Sequence, residues 1–164
     1  MGRANQVARP GQYDELLRFD LVYRKTIFDD LSPSVRQTLW RERFSRFRAA
    51  HTGLTREQLR VLDRADALLA EPTLFVEPSS EPRRRVADLD RDAIEVFGRK
   101  NACGWFSTLG RRDASVTNAH RVADCSCSVG SACDGSGCTD LCGGRTSSGC
   151  GRFYIWACDG CYCA

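Results

Sequence analysis

The side chains able to do chemistry are thiols, and nine of the ten cysteines crowd into residues 124–164: Cys125, Cys127, Cys133, Cys138, Cys142, Cys150, Cys158, Cys161 and Cys163. Three chemistries suit such a set: disulfides, metal ligation, and thioether rings formed by adding cysteine to dehydrated serine or threonine. Zinc sites call for paired C-x2-C knuckles or a knuckle with a histidine pair, and here Cys158-Asp159-Gly160-Cys161 stands alone. Thioether rings would draw on the eight Ser and Thr residues after Asp124, though nothing in the order marks which would be dehydrated. Disulfides fit best, because eight of the fourteen glycines share the stretch and permit the tight turns that bring near-neighbour cysteines to bonding distance. Cys125 and Cys127, one residue apart, are poor partners for each other.

A segment this short, with few apolar side chains besides cysteine, cannot offset its own chain entropy by burial. Cross-links must supply the difference. Its one apolar run, Arg152 to Ala157, reads as a strand followed by the turn signal Asp159-Gly160. With little to pack against, Phe153, Tyr154 and Trp156 are expected to face partly outward as candidate contacts to a target, the alternative being that they are the tail's own core.

The preceding residues are a different kind of object. They hold a single cysteine, Cys103, and 22 of the 24 basic residues, giving a net charge of +5 before Asp124 against −2 from it onward. The arginines alternate with Asp and Glu, the pattern of solvated helix faces and not of a nucleic-acid footprint. Apolar spacing predicts a helix over residues 13–31, with Leu16, Leu17, Val22, Tyr23, Ile27, Phe28 and Leu31 inward. Ser32-Pro33 opens a second helix to about Ala50 that carries Val35, Leu39, Trp40, Phe44 and Phe47 on one face. Thr55 and Gln58 have the spacing of a capping box for a third helix with Leu59, Leu62, Ala65 and Leu69 inward. Pro72, Pro78 and Pro82 mark a loop, and a fourth helix from Ser80 or Pro82 buries Val86, Leu89, Ala93, Val96 and Phe97 before Gly98. Trp105, Phe106 and Leu109 make a last short helix against the others.

The expected architecture is a mainly α N-terminal bundle of four to five helices over residues 1–109, an exposed linker over 110–123, and a small Gly/Cys-rich, disulfide-stapled module with a short β element over 124–164. The linker ends in Arg121, Val122, Ala123 and Asp124, an aperiodic stretch suited to proteolysis. No run approaches the roughly 18–20 apolar residues of a membrane span. Met1 to Gln6 lead into polar sequence and not into the apolar core of a secretory signal, whereas thiol density of this order belongs to an oxidising compartment. Export by a leader-reading machinery, an upstream signal, or metal-bound thiols in the cytoplasm would each reconcile the two. Catalysis is not expected: the two histidines, His51 at a helix end and His120 in the linker, have no acidic orienter in the pattern, although His120 with Cys125 or Cys103 has the residue types of a nucleophile pair.

The order Cys125-Ser-Cys127-Ser128, then Cys133, Cys138 and Cys142, then Ser148-Gly149-Cys150-Gly151, an aromatic strand and Cys158-Asp159-Gly160-Cys161 resembles the fulvocin C-related bacteriocins. Leu31-Ser32-Pro33, Leu39-Trp40 and Leu54-Thr55 to Gln58 extend the likeness into the helical part. The resemblance implies a ribosomal precursor made in the cytoplasm, whose helical part is removed by an export or processing protease. Its Cys-rich end then becomes a secreted antimicrobial peptide acting on a bacterial membrane or envelope receptor, without cofactor, bound metal or nucleic acid. The eight cysteines from Cys125 to Cys161 match the family pattern; Cys103 and Cys163 are extra and could pair with each other. The alternative is an intracellular Cys-rich metal-binding or interaction module.

Overall fold

The computed structural model describes residues 12–19, 21–76, 80–106, 109–110, 138–141, 149–150, 152–157 and 161–163. Among these the protein is mainly helical: α1 (Tyr13–Leu16), α2 (Leu21–Asp29), α3 (Pro33–Ala50), α4 (Arg56–Leu69), α5 (Ser80–Phe97) and α6 (Arg99–Phe106). In the tail, β1 (Cys138–Leu141) pairs antiparallel with β4 (Cys161–Cys163), and β2 (Gly149–Cys150) with β3 (Trp156–Ala157).

Local chemistry sets most of the helix limits. Pro33 stands at the first turn of α3, where its missing N–H costs nothing. Ser32 precedes it in extended conformation, but its hydroxyl bonds Ser34 Oγ at 3.1 Å and leaves the helix N–H groups uncapped. At α4 the capping box is complete: Gln58 N–H donates to Thr55 Oγ1 at 3.2 Å and Thr55 N–H to Gln58 Oε1 at 2.9 Å. Gly98, at φ 78°, separates α5 from α6.

Four expectations need correction. The helix expected over 13–31 is broken after Leu16, with Tyr23 on the outside at 63% exposure; the reason is the buried Arg24, which takes the carbonyls freed at the break. In α4 the apolar face is rotated, so that Leu59 is 39% exposed while Val61 and Leu68 are buried. The proline-rich loop contains a 3-10 turn, Pro72–Phe75, that sends Leu74 and Phe75 into the core beside α3. The tail run expected as a strand begins as a tight turn, Arg152–Tyr154, and only Trp156–Ala157 is strand.

The core is one continuous cluster. Leu39, Trp40, Phe44 and Phe47 of α3 meet Leu62, Ala65 and Leu69 of α4 and Val86, Leu89, Ala93 and Phe97 of α5, with Ala102 and Phe106 of α6 beside them. Val35 and Val96 sit at its edge, half-buried. The same cluster includes Phe153, Tyr154 and Ile155 from the far end of the chain.

Candidate functional site

α3 is the reason the tail has a place to go. Trp40, Phe44 and Phe47 recur at spacings of four and three, and with Leu39 they make a face too wide for α4 and α5 to cover. Phe153 fills the gap, its ring edge-on to Trp40 at 5.3 Å and to Phe44 at 5.8 Å between centroids. Tyr154 sits between Phe28 at 5.2 Å and Trp40 at 5.3 Å, also edge-to-face. Phe106 of α6 closes the seat against Phe44 at 5.0 Å.

Phe153, Tyr154 and Ile155 are 0%, 1% and 3% exposed. The expectation that Phe153 and Tyr154 face outward is thus corrected: the helical part supplies the apolar partners that the tail lacks. Backbone geometry carries the cost. Both residues adopt φ 56°, in the left-handed region that bulky side chains avoid, at about 1–2 kcal/mol each. Burying three large apolar side chains contributes about 1.5–3 kcal/mol apiece, with more from the edge-to-face pairs. Packing wins over strain, and the turn is held in place by it.

A second feature lies beside the seat, at the point where the helical part ends. Leu109 donates its N–H to the Tyr154 hydroxyl at 3.1 Å, a buried bond between residues 45 apart in sequence. The Leu109 carbonyl accepts from Arg24 Nη1 at 3.2 Å. Arg24 is 4% exposed and also donates to the carbonyls of Phe19, at 2.6 Å from Nε, and Leu17, at 3.3 Å from Nη2. One guanidinium therefore ties the α1–α2 break to the exit of the helical part, using the planar fork that lysine lacks. Gly110 follows at φ 91°, and its backbone N–H bonds the Tyr13 hydroxyl.

Gly110 is held by its φ, at which an L side chain is strained, and an added Cβ would in addition push aside the tip of the Leu17 side chain. Gly110→Ala is expected to destabilise the chain by about 1–3 kcal/mol, read as a lowered urea midpoint at constant slope. A midpoint equal to wild type would show that the exit is not fixed in this conformation.

Burial raises the Tyr13 pKa above its ordinary value, against the opposing influence of Arg43 and Arg46 and of the Gly110 N–H. The folded chain thus favours the neutral phenol, so its contribution is present below the unfolded pKa near 10 and lost as pH rises through the higher folded value. Melting temperature should therefore fall as pH rises above about 10, and less steeply in Tyr13→Phe. Parallel curves for the two chains would refute this. Arg46 secures the same short helix from α3: its guanidinium bonds both Asp14 oxygens at 2.6 and 2.8 Å and lies over the Tyr13 ring, holding the Asp14 carboxyl below its usual range.

The cysteines divide by what can be described. The register sets Cys138 opposite Cys163 and Cys161 opposite Leu141, and Cys150 faces Trp156 across β2 and β3. Cys103 lies in α6. Cys125, Cys127, Cys133, Cys142 and Cys158, the stretch Arg121 to Asp124, and His120 lie outside the described residues. Among the described residues no group of three or more His, Cys, Asp or Glu side chains could hold a metal ion. His51 caps α3, stacked on Phe47 at 4.1 Å with Nδ1 2.8 Å from its carbonyl. An open groove of about 650 Å³ passes it, walled by Arg43, Arg46, Lys100 and Trp105.

Sequence reasoning missed Arg24 and Tyr13 as anchors; Leu109 docks on the helices as expected, but beyond the end of α6 at Phe106 and not within a last short helix. A signal for the first existed, because Arg24 precedes Ile27, Phe28 and Leu31 at spacings of three, four and seven and so shares their inward face. Neither family models, nor curated proteins, nor solved structures contain a match to this chain.

Proposed function

We propose that this chain is the precursor of a secreted, disulfide-stabilised antimicrobial peptide of the bacteriocin kind, released by proteolysis near residues 120–124 and acting on the envelope of competing bacteria. The observation that carries the reading is the division of the chain into a cysteine- and glycine-rich tail and a helical part with one cysteine. Its resemblance to the fulvocin C-related bacteriocins points the same way. The burial of Phe153 and Tyr154 suits a precursor, since side chains meant for a target are kept from water and from the producer's own envelope until the tail leaves. The tail's net charge of −2 does not favour attraction to anionic lipid, so a protein or glycan receptor carries as much weight as direct membrane disruption. No described helix is long and apolar enough to cross a membrane.

Among the disulfides we assign to the tail, Cys138 with Cys163 is the pair the strand register favours. Facing residues of an antiparallel ladder have Cα atoms about 4.5–5.5 Å apart, within the span of a disulfide. This pairing takes Cys163 from Cys103 and leaves seven further tail cysteines, an odd number, so that one tail thiol stays free or pairs outside the tail.

The test is the intact mass of any Cys-rich peptide in the culture fluid of a producing host, before and after reduction and thiol labelling. The reading expects a peptide beginning near residue 124 that takes label only after reduction, and activity of that peptide against related bacteria. Losses of water would replace disulfides by thioether rings. Full-length chain retained in cells with free or metal-bound thiols would overturn it in favour of an intracellular metal-binding or interaction module.

A further inference from the structure

The two ends of the segment 111–152, which holds the expected cleavage stretch and most of the cysteines, are fastened side by side on the helical part. The segment leaves at Leu109 and Gly110 and returns at Phe153, and Tyr154 bonds back to Leu109 at 3.1 Å. A cut between them severs one covalent path and leaves in place the ring contacts of Phe153 and Tyr154 with the helical part and the bond to Leu109. Phe28, Trp40, Phe44 and Phe106 come from three different helices and would all remain on the helical fragment. The rings of the seat also pack on neighbours that stay in place, Phe28 on Phe75, Trp40 on Phe44 and Phe44 on Phe106.

We propose, building on the precursor reading above, that the helical part is a receptor for its own tail: the aromatic seat retains Phe153–Ile155 after the linker is cut. Proteolysis then yields a non-covalent complex, and the tail departs only in a second step that unseats the turn. The left-handed backbone at Phe153 and Tyr154 relaxes in that step, which favours departure once a competing surface accepts the aromatic side chains. Maturation is in this way divided into a cut and a release, and a producer cell holding cut precursor is still shielded from the tail.

The experiment places a site for a specific protease within residues 111–123 of the full chain, cuts the purified oxidised protein, and follows the two fragments by native mass spectrometry and sedimentation over a dilution series. The fragments are expected to travel as a one-to-one complex at micromolar concentration. Tyr154→Phe keeps the ring but leaves the Leu109 N–H unpaired, and should weaken retention about tenfold. Phe153→Ala should weaken it by about a hundredfold or more; if that chain does not fold before cutting, the Tyr154→Phe series decides. Separation of the wild-type fragments as soon as the chain is cut would overturn the proposal. So would retention indifferent to both variants, or retention lost in Cys103→Ser, which would mean that a disulfide to the helical part holds the tail. None of these readouts uses antibacterial activity, so a retained tail that harms no bacterium counts against the precursor reading alone.

Discussion

Trp40→Ala is expected to be among the most damaging single changes in the chain, lowering stability by about 3–5 kcal/mol. Trp40 is fully buried and touches Phe44 on its own helix and both Phe153 and Tyr154 from the tail. Its loss opens a cavity at the junction of the two parts, where relaxation on one side cannot be followed by the other. Against a typical total of about 5–15 kcal/mol, such a loss lowers the melting temperature by roughly 10 °C, at about 2–4 °C per kcal/mol for a chain of this size. Trp40→Phe should be milder, about 1–2 kcal/mol, because the indole Nε1 has no hydrogen-bond partner among the described residues and its removal orphans nothing. A double-mutant cycle separates packing in general from the seat in particular. Trp40→Ala and Phe153→Ala should be less than additive by about 1 kcal/mol or more. Strict additivity in urea unfolding would show that the two rings do not share a contact in solution.

The helical part was legible because its information is local. Pro33, the Thr55–Gln58 capping box and Gly98 act within a few residues of where they stand, and each occupies the helix boundary assigned to it. The α4 face was misjudged by two positions, Leu59 for Val61, since both lie beside Leu62 and Ala65 and only packing against the neighbouring helices decides between them. The tail aromatics were misjudged for a different reason. Composition left two readings of Phe153 and Tyr154, partial exposure or a core of the tail's own, and neither counted the helical part as their partner. The width of the α3 stripe was the missing clue: Leu39, Trp40, Phe44 and Phe47 present more apolar surface than leucine- and alanine-rich α4 can cover. Long-range docking of this kind leaves no periodic trace, as Tyr154 and Leu109 are joined by one hydrogen bond across 45 residues.

Arg24 is the other residue on which a large effect should fall. Arg24→Leu keeps most of the stem's volume but removes the guanidinium donors from the carbonyls of Leu17, Phe19 and Leu109, the last of them buried and the other two part-buried. At about 1–3 kcal/mol for the buried Leu109 acceptor left unpaired, and less for each part-buried carbonyl that water can still reach, the expected cost is about 2–4 kcal/mol. Arg24→Lys restores the charge and one direction of donation, but a single ammonium cannot serve three carbonyls set at different angles, so it should recover less than half of the loss. Hydrogen exchange locates the damage. Leu109 and Gly110 amides, which bond Tyr154 and Tyr13, should exchange faster in Arg24→Lys by a factor larger than its global destabilisation explains. If lysine proves equivalent to arginine in both unfolding and exchange, the guanidinium fork is not what fastens the exit. The exit would then rest on the bonds to Tyr154 and Tyr13, and loosening either should speed exchange at the point where the chain leaves the helical part.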